Sequence, residues 1–500
     1  MKNRFNLGLI TSFLGMSAML NGVFMFLALP FSFYYKEDSA SGIAIAGLIT
    51  LVIGSTMWYL NRNAVKSLQT RDGYLIVTLG WLMLSLTGTL PYLLTGSIPN
   101  FTNAFFETIS GYSTTGASIL SDIESMPKAI LFWRSATHWI GGMGIIVLTV
   151  AILPLLGIGG MQLFMAESPG PSADKLHPRI TETAKRLWLI YASLTLSEFV
   201  LLKIAGMTWF DALNHAMATM STGGFSTKNA SIAYWNDSPL IQYIICLFMF
   251  IAGMNFVLTY FGFKGNFRKV YDNEEFRWYF RIVLLFTVII SICVIWFQDS
   301  NLSSSINHPE VFGDLESGFR HSLFQVLSII TTTGFVSADY TMWNALALAM
   351  IFSLFFLGGS AGSTSGGVKV VRQVIMIKHS LLEFKKQIHP NAILPVRYNG
   401  KGVNPNIVYN ILSFFILYII ILLLSIMIFT LLGMDFLSAI GATISSLGNV
   451  GPGIGSVSPV DNFAHLGQAA KWFSAFLMLI GRLELFTVLI LLTPYFWRKN

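Results

Sequence analysis

The 500-residue sequence contains few charged residues: Asp, Glu, Lys and Arg together make up 11% of it, against roughly 25% in soluble domains. It has only two cysteines, Cys246 and Cys293, and both lie in apolar runs, which excludes a disulfide scaffold. Hydrophobic residues make up 54% of the chain, with 41 phenylalanines, and this excludes intrinsic disorder. A soluble domain could not bury so much apolar surface, so the composition indicates an all-α polytopic membrane protein.

Motifs for enzymatic chemistry are also missing. The sequence has no Walker loop, no H-E-x-x-H and no Cys/His cluster with the spacing of metal ligands. Residues 358–362 match G-x-S-x-G, but the hydrolase elbow needs a preceding strand and His and acid partners, whereas an apolar span precedes this match. We therefore expect no enzymatic activity and no cofactor held by this chain.

Apolar runs divide the sequence into candidate membrane spans, each of which needs about 20 residues to cross a bilayer core. Ten stretches qualify or nearly qualify, at 7–34, 41–60, 74–97, 131–153, 187–207, 239–262, 280–297, 343–358, 408–432 and 468–496. With the N-terminus inside, 23 Lys and Arg residues fall in inner segments and five in outer ones, which predicts that both termini are cytoplasmic. This asymmetry accounts for the net charge of +7 without a nucleic acid partner.

Four similar stretches follow every second span from the third onward. They read NAFFETISGYSTTGAS at 103–118, DALNHAMATMSTGGFS at 211–226, HSLFQVLSIITTTGFV at 321–336 and DFLSAIGATISSLGNV at 435–450. Aligned without gaps, they superimpose Gly116, Gly224, Gly334 and Gly448. The chain then divides into a two-helix extension at 1–70 and four repeats at 71–155, 185–265, 276–375 and 405–498.

Each repeat predicts a helix, a half-helix, a Gly-centred loop and a second helix. Ten residues form a helix of about 15 Å, half a bilayer. The loop after it can lie at membrane depth only if it is buried in protein or lines water. Four such loops around a pseudo-fourfold axis can replace an ion's hydration shell with backbone carbonyls, which indicates a monovalent cation pore. The alternative is a transporter whose broken helices bind another kind of substrate.

The four stretches STTGAS, STGGFS, TTTGFV and SSLGNVGPG resemble the Trk/Ktr/HKT superfamily of potassium transporters, in particular its TrkH-type membrane subunit. Residues 138–154, 358–367 and 481–487 add to the resemblance, and the two extra N-terminal spans fit the TrkH type. The resemblance implies potassium as the ion. It implies a filter formed by Thr114, Thr115, Gly116, Thr222, Gly223, Gly224, Thr332, Thr333, Gly334, Ser446, Leu447 and Gly448. Leu447 departs from the Thr or Gly of the other repeats.

A glycine-rich segment, GGSAGSTSGG at 358–367, is expected to be a gate below the filter. Its glycines are Gly358, Gly359, Gly362, Gly366 and Gly367, and each costs a helix about 1 kcal/mol relative to Ala. A non-helical backbone cannot face lipid, so we expect this segment in a water-filled vestibule. The resemblance agrees, since the family's third repeat carries an intramembrane loop that obstructs the pore. The alternative is an ordinary inner loop.

Arg482 lies within the last predicted span, where a charge is costly and faces a cavity or a partner. The resemblance implies an electrostatic barrier to cations just below the filter. The alternative is a structural ion pair with Glu198, Glu107 or Glu484.

The resemblance further implies a homodimer in the bacterial inner membrane, resting on a TrkA-like cytosolic ring that binds NAD(H) or ATP/ADP. Any nucleotide would then act only through this partner. Within the same fold, an Na⁺- or H⁺-coupled potassium symporter stays open as an alternative to a channel. A non-transporting receptor is a third possibility, which the four filter-like loops disfavour.

Overall fold

A computed structural model describes residues 5–64, 69–144, 180–297, 313–392 and 394–498. Its helices are α1 (Leu7–Phe26), α2 (Leu29–Tyr35), α3 (Ser39–Leu60), α4 (Thr70–Gly88), α5 (Leu90–Leu94), α6 (Phe101–Tyr112), α7 (Lys128–Trp139), α8 (Ile180–Ile204), α9 (Trp209–Met220), α10 (Pro239–Ala252), α11 (Phe256–Phe263), α12 (Phe267–Tyr271), α13 (Glu274–Phe297), α14 (Asp314–Ile330), α15 (Ala345–Leu354), α16 (Val370–Ile388), α17 (Pro405–Leu431), α18 (Phe436–Gly448), α19 (Gln468–Arg482), α20 (Phe486–Leu489) and α21 (Pro494–Trp497). A π-helical turn, Ile140–Gly144, extends α7. The strands β1 (Arg397–Tyr398) and β2 (Lys401–Gly402) form a small antiparallel hairpin.

The described residues contain six helical segments long and apolar enough to cross a membrane, or eight if each of two bent helix pairs is one span. The chain is therefore a helical membrane protein, as predicted. The predicted span 131–153 begins as α7, but residues 145–153 lie outside the described part of the chain. The predicted span 343–358 contains the shorter helix α15, Ala345–Leu354.

Two predicted continuous spans, 239–262 and 468–496, are wrong in detail because each is sharply bent. The chain turns by 112° between α10 and α11 and by 111° between α19 and α20. At the first bend, Asn255 caps α11 by accepting a hydrogen bond from the Val257 N–H. At the second, Glu484 and Leu485 both adopt a φ of 57°, a rare conformation for non-glycine residues.

Four short helices, α6, α9, α14 and α18, begin near the protein surface and end inside the protein. Three have side-chain caps, from Asn100, Thr208 and Asp435, each of which accepts the N–H three residues ahead. The third helix, α14, begins at Asp314 after Gly313, seven residues before the predicted stretch. Almost every residue of the four helices from the second turn onward is buried, so they are surrounded by protein and not by lipid.

The N-terminal extension consists of α1, α2 and α3, and glycines bring α1 and α3 into close contact. A Cβ built on Gly15 would lie 2.7 Å from the carbonyl oxygen of Gly54, and one on Gly54 would lie 2.6 Å from that of Gly15. Small residues that let two backbones approach are typical of packing between membrane helices. The lipid-facing side is clearest on α17, where Ile416, Leu423 and Leu431 are exposed.

Candidate functional site

The four short helices all end in the same backbone conformation. A left-handed residue follows each helix, two residues after the end of the first three and directly after the fourth, with φ of 51° at Thr114, 56° at Thr222, 57° at Thr332 and 53° at Asn449. The next N–H then donates to a carbonyl five residues back, from Thr115 to Ser110, Gly223 to Ala218, Thr333 to Ser328 and Val450 to Ser445, at 2.8–3.0 Å. This is the Schellman helix end, repeated four times.

The gapless sequence alignment is wrong in the fourth repeat by three residues. Ser446, Leu447 and Gly448 form the last turn of α18, so Gly448 is helical. Its place is taken by Gly451, whose φ of 99° matches the positive φ of Gly116, Gly224 and Gly334. The physical reason is that α18 continues until Asn449, and Asn tolerates the left-handed conformation. The structural counterpart of Thr114–Gly116 is therefore Asn449–Gly451.

These four segments contact one another in a closed ring. Each segment ends in a glycine. A Cβ added to this glycine would overlap a carbonyl oxygen of the segment in the next repeat, namely the carbonyl of the residue just before that segment's own glycine. The distances are 2.2 Å from Gly116 to Gly223, 1.9 Å from Gly224 to Thr333, 2.0 Å from Gly334 to Val450 and 2.6 Å from Gly451 to Thr115. The fourth contact returns to the first repeat, so the segments surround one axis. Only glycine leaves room for these carbonyls.

The left-handed residues are strained, and neighbouring groups hold them. Threonine is β-branched and rarely adopts positive φ. Thr332 Oγ1 accepts a hydrogen bond from the Gly366 N–H at 2.6 Å. The amide of Asn449 donates to Thr115 Oγ1 at 2.9 Å and to the Met478 carbonyl at 2.8 Å. Strain that the surroundings maintain in this way is common at functional sites.

A buried ion pair supports the segments of the first two repeats. Arg134 Nε donates to Glu107 at 2.6 Å, and both side chains are almost fully buried. Glu107 also accepts the Ile119 N–H at 2.9 Å, while Arg134 Nη1 donates to the Ser226 carbonyl at 2.9 Å. The arginine also stacks on Phe225, 3.6 Å from the ring centre. Sequence analysis missed this pair, although a charge in each of two apolar stretches was a signal for it.

The loops that follow the left-handed segments of the same two repeats meet at the surface. Asn229 Nδ2 donates to Asp122 at 3.1 Å, and this hydrogen bond lowers the pKa of the Asp122 carboxyl. Lys228 and Glu124 form an ion pair at 3.2 Å. Asp122 is therefore ionised at neutral pH and adds negative charge to these loops.

Residues 358–367 form a loop without helix, as predicted, and they contact three of the four short helix ends. The Gly366 N–H donates to Thr332, and Thr364 Oγ1 donates to the Met220 carbonyl at 3.0 Å. A Cβ on Gly366 would lie 2.8 Å from the Gly448 carbonyl oxygen. The loop is therefore packed directly against the left-handed segments, which an ordinary inner linker would not be.

The same loop is tied to the bend between α10 and α11. The Ser360 N–H donates to the Gly253 carbonyl at 2.8 Å, and the Phe256 N–H donates to the Gly362 carbonyl at 3.1 Å. At its C-terminal end, Lys369 is buried and its ammonium donates to the Ser365 carbonyl. These bonds satisfy backbone groups that both the loop and the broken helix would otherwise leave unpaired.

Arg482 joins the loop to the first repeat. Its guanidinium donates to the carbonyls of Thr364 at 2.8 Å, Gly141 at 2.8 Å and Gly142 at 2.9 Å. Of the three acidic residues considered as its ion-pair partners, Glu107 pairs with Arg134 and Glu484 pairs with Arg372.

The third, Glu198, is fully buried in α8. Within the described ranges, no group of three or more His, Cys, Asp or Glu residues could hold a metal ion.

Comparisons with known proteins agree with this architecture. Residues 39–498 match a family model described as TrkH, cation transport protein. The Trk system potassium uptake protein TrkH of Salmonella typhimurium is 40% identical over 494 residues, which cover 98% of this chain and 99% of that protein. The Trk system potassium uptake protein TrkG of Escherichia coli K12 is 34% identical over 500 residues, covering 99% and 100%.

A solved structure is similar over the same length. The crystal structure of the potassium transporter TrkH from Vibrio parahaemolyticus has a TM-score of 0.86 and 36% sequence identity, and covers 99% of this chain and 100% of that one. These relatives are transporters, not enzymes, so the G-x-S-x-G match at 358–362 has no catalytic meaning.

Proposed function

Because the chain belongs to the TrkH family of cation transport proteins, we propose that it is the ion-translocating subunit of a bacterial potassium uptake system. It lies in the inner membrane with both termini in the cytoplasm. The relatives named for potassium uptake match it over nearly their whole length. The observation that carries the proposal is the closed ring of four strained backbone segments, since irregular backbone at this depth is tolerated only where it is buried or lines a pore.

The selectivity filter consists of Thr114–Gly116, Thr222–Gly224, Thr332–Gly334 and Asn449–Gly451. Their backbone carbonyls replace the hydration shell of a dehydrated potassium ion. The C-terminal ends of the four short helices surround this position and carry partial negative charge, which favours a cation. The repeat boundaries at 71–155, 185–265, 276–375 and 405–498 are retained with this assignment.

The loop at 358–367 is the gate, and Arg482 is part of it. The loop has direct contacts with filter residue Thr332, and Arg482 holds its Thr364 carbonyl. A positive charge in a low-dielectric pore repels a cation more strongly than it would in bulk water. The arginine therefore restrains flux in two ways, by its charge and by fixing the loop in place.

Regulation comes from outside this chain. A TrkA-like cytosolic subunit, which binds NAD(H) or ATP/ADP, acts on the inner face of a homodimer. Backbone hydrogen bonds connect the bend before α11 to the loop at 358–367. A movement of the inner loops that displaces α11 is therefore transmitted to the gate.

Uptake of ⁸⁶Rb⁺ into liposomes containing the purified protein tests the proposal. We expect uptake above that of protein-free liposomes, inhibited by K⁺ at lower concentration than by Na⁺. Equal competition by both ions, or no uptake with and without the partner subunit, would contradict it. Reversal potentials then separate the two transport modes: a channel follows the potassium gradient alone, whereas an Na⁺- or H⁺-coupled symporter shifts with the second gradient.

A further inference from the structure

The N-terminal extension is anchored to the first repeat through two polar side chains, besides the backbone N–H of Asn6, which donates to Asp72 Oδ1 at 3.1 Å. At the outer end, the Glu37 carboxylate accepts the backbone N–H groups of Lys128 at 2.5 Å and Ala129 at 3.2 Å. These are the first N–H groups of α7, which have no partner within the helix, and a carboxylate also complements the positive end of the helix dipole. The extension is thus fixed in register relative to the repeat.

The second anchor lies at membrane depth. Asn21 of α1 is 1% exposed, and its Oδ1 accepts a hydrogen bond from the hydroxyl of Tyr112 at 2.5 Å. Its Nδ2 donates to Thr87 Oγ1 at 2.8 Å. A buried amide in a membrane helix is costly unless its polar atoms are paired, and here both ends are used.

Tyr112 connects Asn21 directly to the first filter segment. It is the last residue of α6, two residues before the strained Thr114. Its carbonyl oxygen packs against Gly141, on which a Cβ would lie only 2.0 Å away. Gly141 in turn accepts a hydrogen bond from Arg482. A displacement of Tyr112 therefore affects both the filter segment and the partner of the gating arginine.

The position of the Tyr112 ring is restricted by close packing. A Cβ on Gly88 of α4 would lie 2.8 Å from the ring and 2.7 Å from Thr108. The ring is fully buried, so its hydroxyl has no access to water as an alternative partner. The bond to Asn21 is thus a polar contact that fixes the last residue of α6 from outside the repeat.

The geometry points to a positioning role for the N-terminal extension in ion selectivity: α1, through the Asn21–Tyr112 hydrogen bond, holds the first filter segment in its conducting shape. This inference rests on the proposed filter. In the described part of the chain, the ring contacts between Gly116, Gly224, Gly334 and Gly451 and their neighbours all come from the four repeats and not from the extension. It acts as a rigid support, and the hydrogen bond at Asn21 is its point of contact with the ion-binding machinery.

The test compares Tyr112→Phe, Asn21→Leu and the double variant by ⁸⁶Rb⁺ uptake with K⁺ and Na⁺ as competitors, alongside thermal stability. Loss of one hydrogen bond at the filter should reduce the K⁺ over Na⁺ preference roughly two- to tenfold. The double variant should be no worse than Asn21→Leu alone, because Tyr112→Phe removes only the bond that Asn21→Leu has already removed together with the one to Thr87. Tyr112→Phe removes only a hydroxyl, so it keeps the test valid if Asn21→Leu fails to fold.

The matched control is Thr50→Val, which removes a buried hydroxyl bonded only within the extension, to Ala46 and Met25. It should keep the wild-type ion preference. A folded Tyr112→Phe protein with wild-type preference would overturn the inference, and so would an equal loss in Thr50→Val. Gly224→Ser in the same assay separates the role of the extension from the filter assignment. If Gly224→Ser loses selectivity while Tyr112→Phe does not, only the role of the extension fails. If neither variant changes the preference, the filter assignment fails as well.

Discussion

Replacing Gly451 with alanine should damage selectivity, whereas the same change at Gly448 should not. Gly451 has a φ of 99°, and a Cβ there would lie 2.6 Å from the Thr115 carbonyl oxygen. The left-handed backbone costs an alanine about 1–2 kcal/mol, and forcing the neighbouring backbone apart adds about 1–3 kcal/mol. Relief requires a shift of Thr115, a filter residue of the first repeat. We expect a loss of K⁺ over Na⁺ preference of about tenfold, which corresponds to about 1.4 kcal/mol of potassium coordination lost through the shift of Thr115.

Gly448 provides the matched control, three residues earlier in the same chain. It is helical, and the nearest atoms to an added Cβ are Val450 Cγ2 at 3.3 Å and the Phe355 carbonyl oxygen at 3.7 Å. Alanine there also removes the helix cost of glycine, about 1 kcal/mol. Both variants are assayed by ion competition in liposomes after their folding has been checked by size-exclusion chromatography. If Gly448→Ala loses selectivity and Gly451→Ala keeps it, the corrected register of the fourth repeat is refuted.

Three further predictions concern the other parts of the pathway. Gly224→Ser, with a Cβ 1.9 Å from the Thr333 carbonyl oxygen, should relax K⁺ over Na⁺ preference more than tenfold, and a well-folded variant with an unchanged ratio would contradict the ring. Arg482→Ala should raise cation flux in electrical recordings, because it removes both the positive charge and the hydrogen bonds to the loop. Arg482→Lys keeps the charge, so it should restore part of the restraint. Identical flux in both variants and the wild type would favour a purely structural arginine. Deleting residues 360–364 removes the bonds to Gly253, Met220 and Arg482. Basal flux should therefore rise, and its dependence on the cytosolic partner should fall. Normal basal flux and normal regulation would show that the loop is an ordinary linker and not a gate.

The membrane class and the short helices could be predicted from composition and repetition. Hydropathy reports the apolar surface that a span buries, and the four stretches share a helix followed by small polar residues. The fourth register could not be predicted from a gapless comparison, because SSLG mimics TTTG while the helix in fact continues to Gly448. The second glycine in GNVGPG was the available signal, since Asn449 and Gly451 reproduce the pattern of left-handed residue, any residue, glycine.

The two sharp bends were not predicted because both stretches are apolar enough overall to be interpreted as single continuous spans, although Arg482 and Glu484 lie at the second bend. The bend before α11 depends on tertiary hydrogen bonds, in which Gly253 and Phe256 pair with the loop at 358–367, more than 100 residues away. Likewise, among the described residues Arg482 donates to the backbone carbonyls of Gly141, Gly142 and Thr364. Sequence analysis sought an acidic partner because charge can be read from residue types, whereas carbonyls exposed by a broken helix cannot.

The most direct test of the central claim is to locate the ion. Crystals of the protein grown in Rb⁺ in place of K⁺ would give an anomalous difference map in which the ion is seen without any assumption about its ligands. The account predicts the strongest peak on the axis of the ring, within coordination distance of backbone carbonyls from Thr114–Gly116, Thr222–Gly224, Thr332–Gly334 and Asn449–Gly451. A strongest peak elsewhere, or one whose ligands in the fourth repeat come from residues 446–448, would contradict it.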